Sequence, residues 1–184
     1  MILTETQPHV RAGLLVAAFI AATAGTAAAN DLSDAEIIGI YSQVNSFDIE
    51  TALLGQVLGA SDDVRAIGQM VSVDHTGVRA AIHALAEEIG VVPVLPPARI
   101  AAARDHDDVI VALRTLEGAA FDAAYLQHEI AFHRAAIAAV EGLLLPEADN
   151  ADLRVHFEAV LPAFYHHLEM NIDAADALGV SYDQ

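Results

Sequence analysis

From residue 33 onward, apolar and small residues recur at intervals of three and four, the spacing that lines one face of a helix. Ser33-Asp34-Ala35-Glu36 has the form of a capping box. It opens a first helix striped by Ile37, Tyr41, Val44, Thr51, Gly55 and Leu58 and ending near Ala60. Ser61-Asp62-Asp63 breaks that run and caps a second helix, striped by Val64, Ile67, Val71, Val78, Ile82, Leu85 and Ile89. Gly90 stops it. Pro93, Pro96 and Pro97 hold an extended connection, and residues 99–116 read as a shorter helix with Ile100, Val109, Leu113 and Leu116 as its apolar points. After Gly118 a third long helix carries Leu126, Ile130, Ile137, Val140 and Leu144, and Pro146 and Asn150 mark a turn. The last helix is striped by Leu153, Phe157, Val160, Phe164, Leu168, Ile172, Ala175 and Leu178, with Gly179 closing it. Pro162 lies inside it and predicts a kink.

Four long helices, two short turns and one long crossover predict an all-α antiparallel four-helix bundle of the ferritin-like kind. A short extra helix is expected in the crossover between helices two and three. The segment before the first helix follows other rules. Arg11 precedes an apolar run over residues 13–22, and small residues lead to Ala27-Ala28-Ala29. Charged start, apolar middle and A-x-A end describe a secretory signal peptide over residues 1–29, leaving a domain over residues 30–184. The expectation is a periplasmic or otherwise exported protein, cleaved near Ala29. The alternative is an uncleaved anchor, since residues 12–29 approach spanning length.

Each long stripe is interrupted once by a side chain able to bind a metal. Asp48 fills the gap between Val44 and Thr51, His75 that between Val71 and Val78, and His133 that between Ile130 and Ile137, while His167 sits beside Leu168. Asp48 lies 12 residues before Ala60 and His75 lies 13 after Asp62, so an antiparallel pair puts them level. His133 lies 12 residues before Leu145 and His167 lies 16 after Ala151. That mismatch is about one turn, or about 5.4 Å. The four residues are therefore expected to converge inside one bundle. Three histidines and an aspartate can equally form a buried polar network that fixes helix register.

Composition narrows the chemistry further. The chain has 184 residues, 26 acids and 8 bases, giving a formal charge of −18. A phosphate-backbone binder needs the opposite sign, so nucleic acid is excluded as a partner, and no strong attraction to an anionic membrane is expected. No cysteine is present, which removes disulfides, thiolate ligands and cysteine nucleophiles together. Apart from Met1 only Met70 and Met170 remain, too little soft sulfur for cuprous storage. No phosphate-binding glycine loop or hydrolase motif is found.

The chain also resembles the ferritin-like bacterial family called domain of unknown function 4142, whose exported members often carry an outer-membrane label. The resemblance rests on residues 45–52 and on residues 64–76, which end in Val73-Asp74-His75-Thr76. It rests further on Gly118-Ala119-Ala120-Phe121-Asp122-Ala123-Ala124-Tyr125 with His133, and on Leu161-Pro162 with His167-Leu168. It implies the ferritin-like fold and an envelope location, and it brings no activity. The family's acid in helix one is usually glutamate. Here that position is Asp48, whose shorter side chain reaches less far, with Glu50 a nearby alternative.

A carboxylate with three imidazoles suits one divalent transition metal: zinc, iron, manganese, nickel or copper(II). A di-iron carboxylate site would want Glu-x-x-His on two helices. No histidine here has a glutamate three residues before it, so a mononuclear site is expected. Asp74, Tyr125 and Glu129 are candidates for supporting roles, with Glu129 one turn before His133 and able to orient its ring. His128, His156 and His166 lie off the main stripes and read as surface or rim residues, and His83 and His106 have no evident partner. The leading expectation is an exported metal-binding protein. Its rival is a non-catalytic structural or interaction protein of the cell envelope, and a metal-dependent oxidoreductase is a weaker third.

Overall fold

The computed structural model describes residues 32–182, and the expected signal segment lies outside the described residues. All regular structure among the described residues is helical: α1 (Asp34–Leu58), α2 (Asp62–Glu88), α3 (Arg99–Arg114), α4 (Gly118–Ala139), a π-helical turn (Val140–Leu144), the single turn α5 (Leu145–Glu147) and α6 (Ala151–Leu178). No described helix is long and apolar enough to cross a membrane.

The ends of the helices follow the polar residues that punctuate the sequence. Ser33 accepts from the Glu36 amide at 3.3 Å while the Glu36 carboxylate accepts from the Ser33 amide at 3.1 Å, the reciprocal pair of a capping box. Ser61 caps α2 through Val64 N, and Asn150 caps α6 through the amides of Asp152 and Leu153. Gly90 and Gly179 take φ of 72° and 66° just past α2 and α6, a left-handed geometry that costs a residue with a Cβ. α6 runs unbroken through Pro162.

α1 lies antiparallel along α2, and α4 lies antiparallel along α6. Contacts of α2 with α6 and of α1 with α4 join the two pairs into a bundle-like core. Gly68 lets α1 and α2 close up: a Cβ there would stand 2.4 Å from Gln56 N and 2.5 Å from Ala52 O. The α1–α2 turn is tied to α4 by Asp122, whose two carboxylate oxygens accept from the amides of Ala60 and Ser61, both at 2.8 Å. α3 packs against α1 and α4 with its inner face of Ala102, His106, Val109 and Leu113. Ile100, expected inward, is exposed, because the face that carries Val109 and Leu113 runs through Ala102 and His106 and leaves Ile100 on the opposite side of α3.

Apart from a small cluster of Phe47, Ala102 and Phe132, the core divides into two apolar clusters. One gathers Ile37, Ile38, Tyr41, Ile82, Leu153, Phe157 and Phe164, and the other Val64, Ile67, Val71, Phe121, Leu126 and Ile130. The level between them is polar.

Candidate metal centre

Asp48, His75, His133 and His167 meet in that polar level, one each from α1, α2, α4 and α6. All four are buried, with exposures of 3% or less. Asp48 Oδ2 lies 3.0 Å from His75 Nε2 and 3.5 Å from His133 Nε2, and His75 Nε2 lies 3.3 Å from His167 Nδ1. The expected one-turn mismatch of His133 and His167 is absorbed because the helical path beyond α4 runs on to Glu147, past Leu145. Their ring centroids stand 5.6 Å apart.

The outer nitrogen of each imidazole has an acceptor of its own. The Asn45 amide nitrogen donates to Tyr41 O at 2.8 Å, which turns Asn45 Oδ1 toward His75 Nδ1, 2.9 Å away. His75 therefore carries its proton on Nδ1. His133 Nδ1 donates to Glu129 O at 3.0 Å, and His167 Nε2 donates to Asp74 Oδ2 at 2.9 Å. In the neutral rings these bonds leave the inward nitrogens as bare lone pairs: Nε2 of His75, Nε2 of His133 and Nδ1 of His167. Neither Asp48 oxygen receives a hydrogen bond, and His133 Nε2 has no hydrogen-bond partner. Acceptors thus face acceptors, an arrangement that calls for a cation or a shared proton between them.

The charge states agree with that geometry. Burial pushes Asp48 upward, but at the acid pH where it titrates the charged forms of the surrounding imidazoles outweigh it and hold the carboxyl well below its usual range. Burial pushes His133 down to about 4, against the pull of Asp48, and lowers His167 as well. Both rings are neutral at pH 7, the form that ligates metals.

The supporting residues divide. Asp74 is surface-exposed, and it reaches across to α6 and fixes the tautomer of His167. Glu129 orients His133 through its backbone carbonyl, while its own carboxylate is fully buried with Oε2 3.6 Å from His133 Nδ1. Burial, reinforced by Asp48, raises Glu129 well above the usual carboxylate range. Glu129 forms a second close group of potential ligands with Asp48 and His133. Tyr125 makes no hydrogen bond to His133; its ring fills the space left by Gly55, where a Cβ would come within 2.5 Å of it.

Four sequence expectations are corrected. Glu50 is no substitute for Asp48, because it points outward and pairs with His106 at 2.9 Å. His106, expected to lack a partner, has that one and is buried at 1% exposure. His83, expected to lack one too, lies exposed with Nε2 3.1 Å from Ser42 Oγ. His128 is no rim residue, because α3 covers the face of α4 that carries it, leaving it 7% exposed. His166 is exposed and His156 half-buried, in keeping with the expectation for them. Asn45 was given no role by its position in the α1 stripe, yet it sets the His75 tautomer. Its signal was its place on the same helix face, one turn after Tyr41 and one turn before Asp48.

No curated protein and no solved structure matches this chain. A family model does, over residues 20–173, a span that takes in Asp48, His75, His133 and His167. The chain belongs to the family described as Domain of unknown function (DUF4142).

Proposed function

We propose that this is an exported protein with a ferritin-like four-helix arrangement that binds one divalent transition-metal ion through Asp48, His75, His133 and His167. The observation that carries the reading is the set of three imidazoles whose outer nitrogens are each hydrogen-bonded, with ligand nitrogens within 4.8 Å of one another and Asp48 Oδ2 3.0 Å and 3.5 Å from two of the rings. The separation of 3.3 Å between His75 Nε2 and His167 Nδ1 is close to the ligand–ligand edge of a tetrahedron with metal–ligand bonds of about 2.0–2.1 Å. Three nitrogens and one oxygen suit zinc, iron, manganese, nickel or copper(II). Asn45, Asp74 and the Glu129 carbonyl would aim the rings and strengthen them as ligands. Elemental analysis of protein purified without a histidine tag tests the reading. One equivalent of a transition metal per chain, lost in His133→Ala, is expected. Metal-free protein that also takes up none on dialysis would sink the proposal.

One observation favours the rival reading. His75 Nε2 and Asp48 Oδ2, 3.0 Å apart, could share a proton as a buried ion pair. The site would then fix helix register with no metal, and no added ion would change the stability of the fold.

A further inference from the structure

Every candidate ligand is sealed in the core, so an ion needs a way in. The α1–α3 side of the molecule carries a surface groove of about 700 Å³ lined by Glu50, Leu54, Leu58, Ile110 and Arg114 among others. Glu50 belongs both to this groove and to the interior: its side chain is 59% exposed, and its Oε2 meets His106 Nε2 at 2.9 Å. Behind it His106 stacks on Phe47 at 4.3 Å between ring centroids. Phe47 shares a small cluster with Ala102 of α3 and Phe132 of α4, and the His128 ring lies 5.7 Å from Phe132. His106 Nδ1 and His128 Nε2 are buried atoms with no hydrogen-bond partner. His128 is within electrostatic reach of Asp48 and His133 and also of His106.

Two buried histidines with unsatisfied nitrogens are costly to a fold that gains nothing else from them. We infer that they line the path by which a divalent cation enters, passing from Glu50 to His106 to His128 and on to Asp48 and His133. The inference rests on the metal reading above. Glu50 supplies the charge that attracts the ion from solvent, and the two imidazoles replace shed water one nitrogen at a time. α3 forms the outer wall of this path and adds none of the four final ligands.

Uptake of Co²⁺ alone, followed by stopped-flow visible absorption on metal-free full-length protein, tests the path. His128→Leu should bind the same amount of Co²⁺ with the same final spectrum but at least ten-fold more slowly. His106→Gln serves as a second interior variant. Glu50→Gln, at the exposed end, should slow uptake about three-fold without touching the core. His83→Leu, an exposed histidine on α2 away from the groove, should leave the rate unchanged. Unaltered rates in the His128, His106 and Glu50 variants would overturn the path while leaving the metal reading intact. A reduced final amplitude in His128→Leu would make His128 a ligand rather than a stepping point, which also overturns it. Wild-type protein that takes up no Co²⁺, zinc, iron, manganese, nickel or copper(II) would remove the metal reading and the path together.

Discussion

The same helices build two kinds of interior. At one end Ile37, Ile38, Ile82, Leu153 and Phe157 close around Tyr41, whose ring meets Phe157 edge-on at 5.0 Å. In the middle, Asn45, Asp48, His75, Glu129, His133 and His167 are as deeply buried, yet several of their polar atoms go unanswered. The apolar end gains free energy from its hydrocarbon contacts, although the Tyr41 hydroxyl is buried there without a hydrogen-bond partner. The polar middle loses free energy wherever a donor or acceptor is left unmatched. Burial alone therefore does not mark what holds the fold; the crowding of unmatched buried polar atoms in the middle separates the two regions.

The sharpest way to break the comparison is to cut into the apolar end. Phe157→Ala should cost about 3–5 kcal/mol in denaturant unfolding, through lost burial and the cavity left behind. The loss should be the same with chelator or with metal. A loss that changes with metal would mean that the two regions are not separable.

Acid should act chiefly through the buried histidines, His133 in the middle and His128 beneath α3 foremost. A histidine lowered to about 4 in the folded chain binds fewer protons than its unfolded form between pH 4 and 6.5. Stability of the metal-free protein should therefore rise with pH across that window, His133 contributing on the order of 3 kcal/mol. Glu129 works in the opposite sense: its raised folded value makes stability fall as pH climbs above its unfolded one. Glu129→Gln should thus steepen the rise and His133→Leu should flatten it. Denaturant curves from pH 4 to 7 check both, and parallel curves for the two variants would contradict the charge assignment.

Metal gives the smallest and most selective effect. At a hundred-fold excess over Kd, a bound ion should add about 2.7 kcal/mol. His167→Ala should lose that gain whereas Phe157→Ala keeps it. Thermal melts with chelator and with Zn²⁺, Mn²⁺ or Fe²⁺ supply the reading, and equal responses in both variants would remove the special status of the middle.

The helices were legible because their ends carry strong local chemistry: the Ser33–Glu36 box, the Ser61 and Asn150 caps and the glycines past α2 and α6. The convergence of Asp48, His75, His133 and His167 was legible because each replaces a hydrophobe on a stripe, which only a buried partner explains. What escaped sits under α3. A four-helix reading leaves the outer faces of α1 and α4 in water, so His128 reads as a rim residue and Glu50 as free to turn inward. Once α3 lies across that seam, His106 and His128 are enclosed. Val109 and Leu113 marked the buried face of α3, but the larger Ile100 stood in the reading where the small Ala102 and the polar His106 complete that face.

Spreading one donor onto each of α1, α2, α4 and α6 has a consequence for turnover of the chain itself. Separated between α2 and α3, the two halves would carry Asp48 with His75, and His133 with His167, two donors apiece. Neither fragment inherits the whole constellation, so no helical hairpin shed during proteolysis would offer an ion all four donors. An ion held there would return to solution as soon as the chain is dismantled, so its retention would report that all four helices are still together.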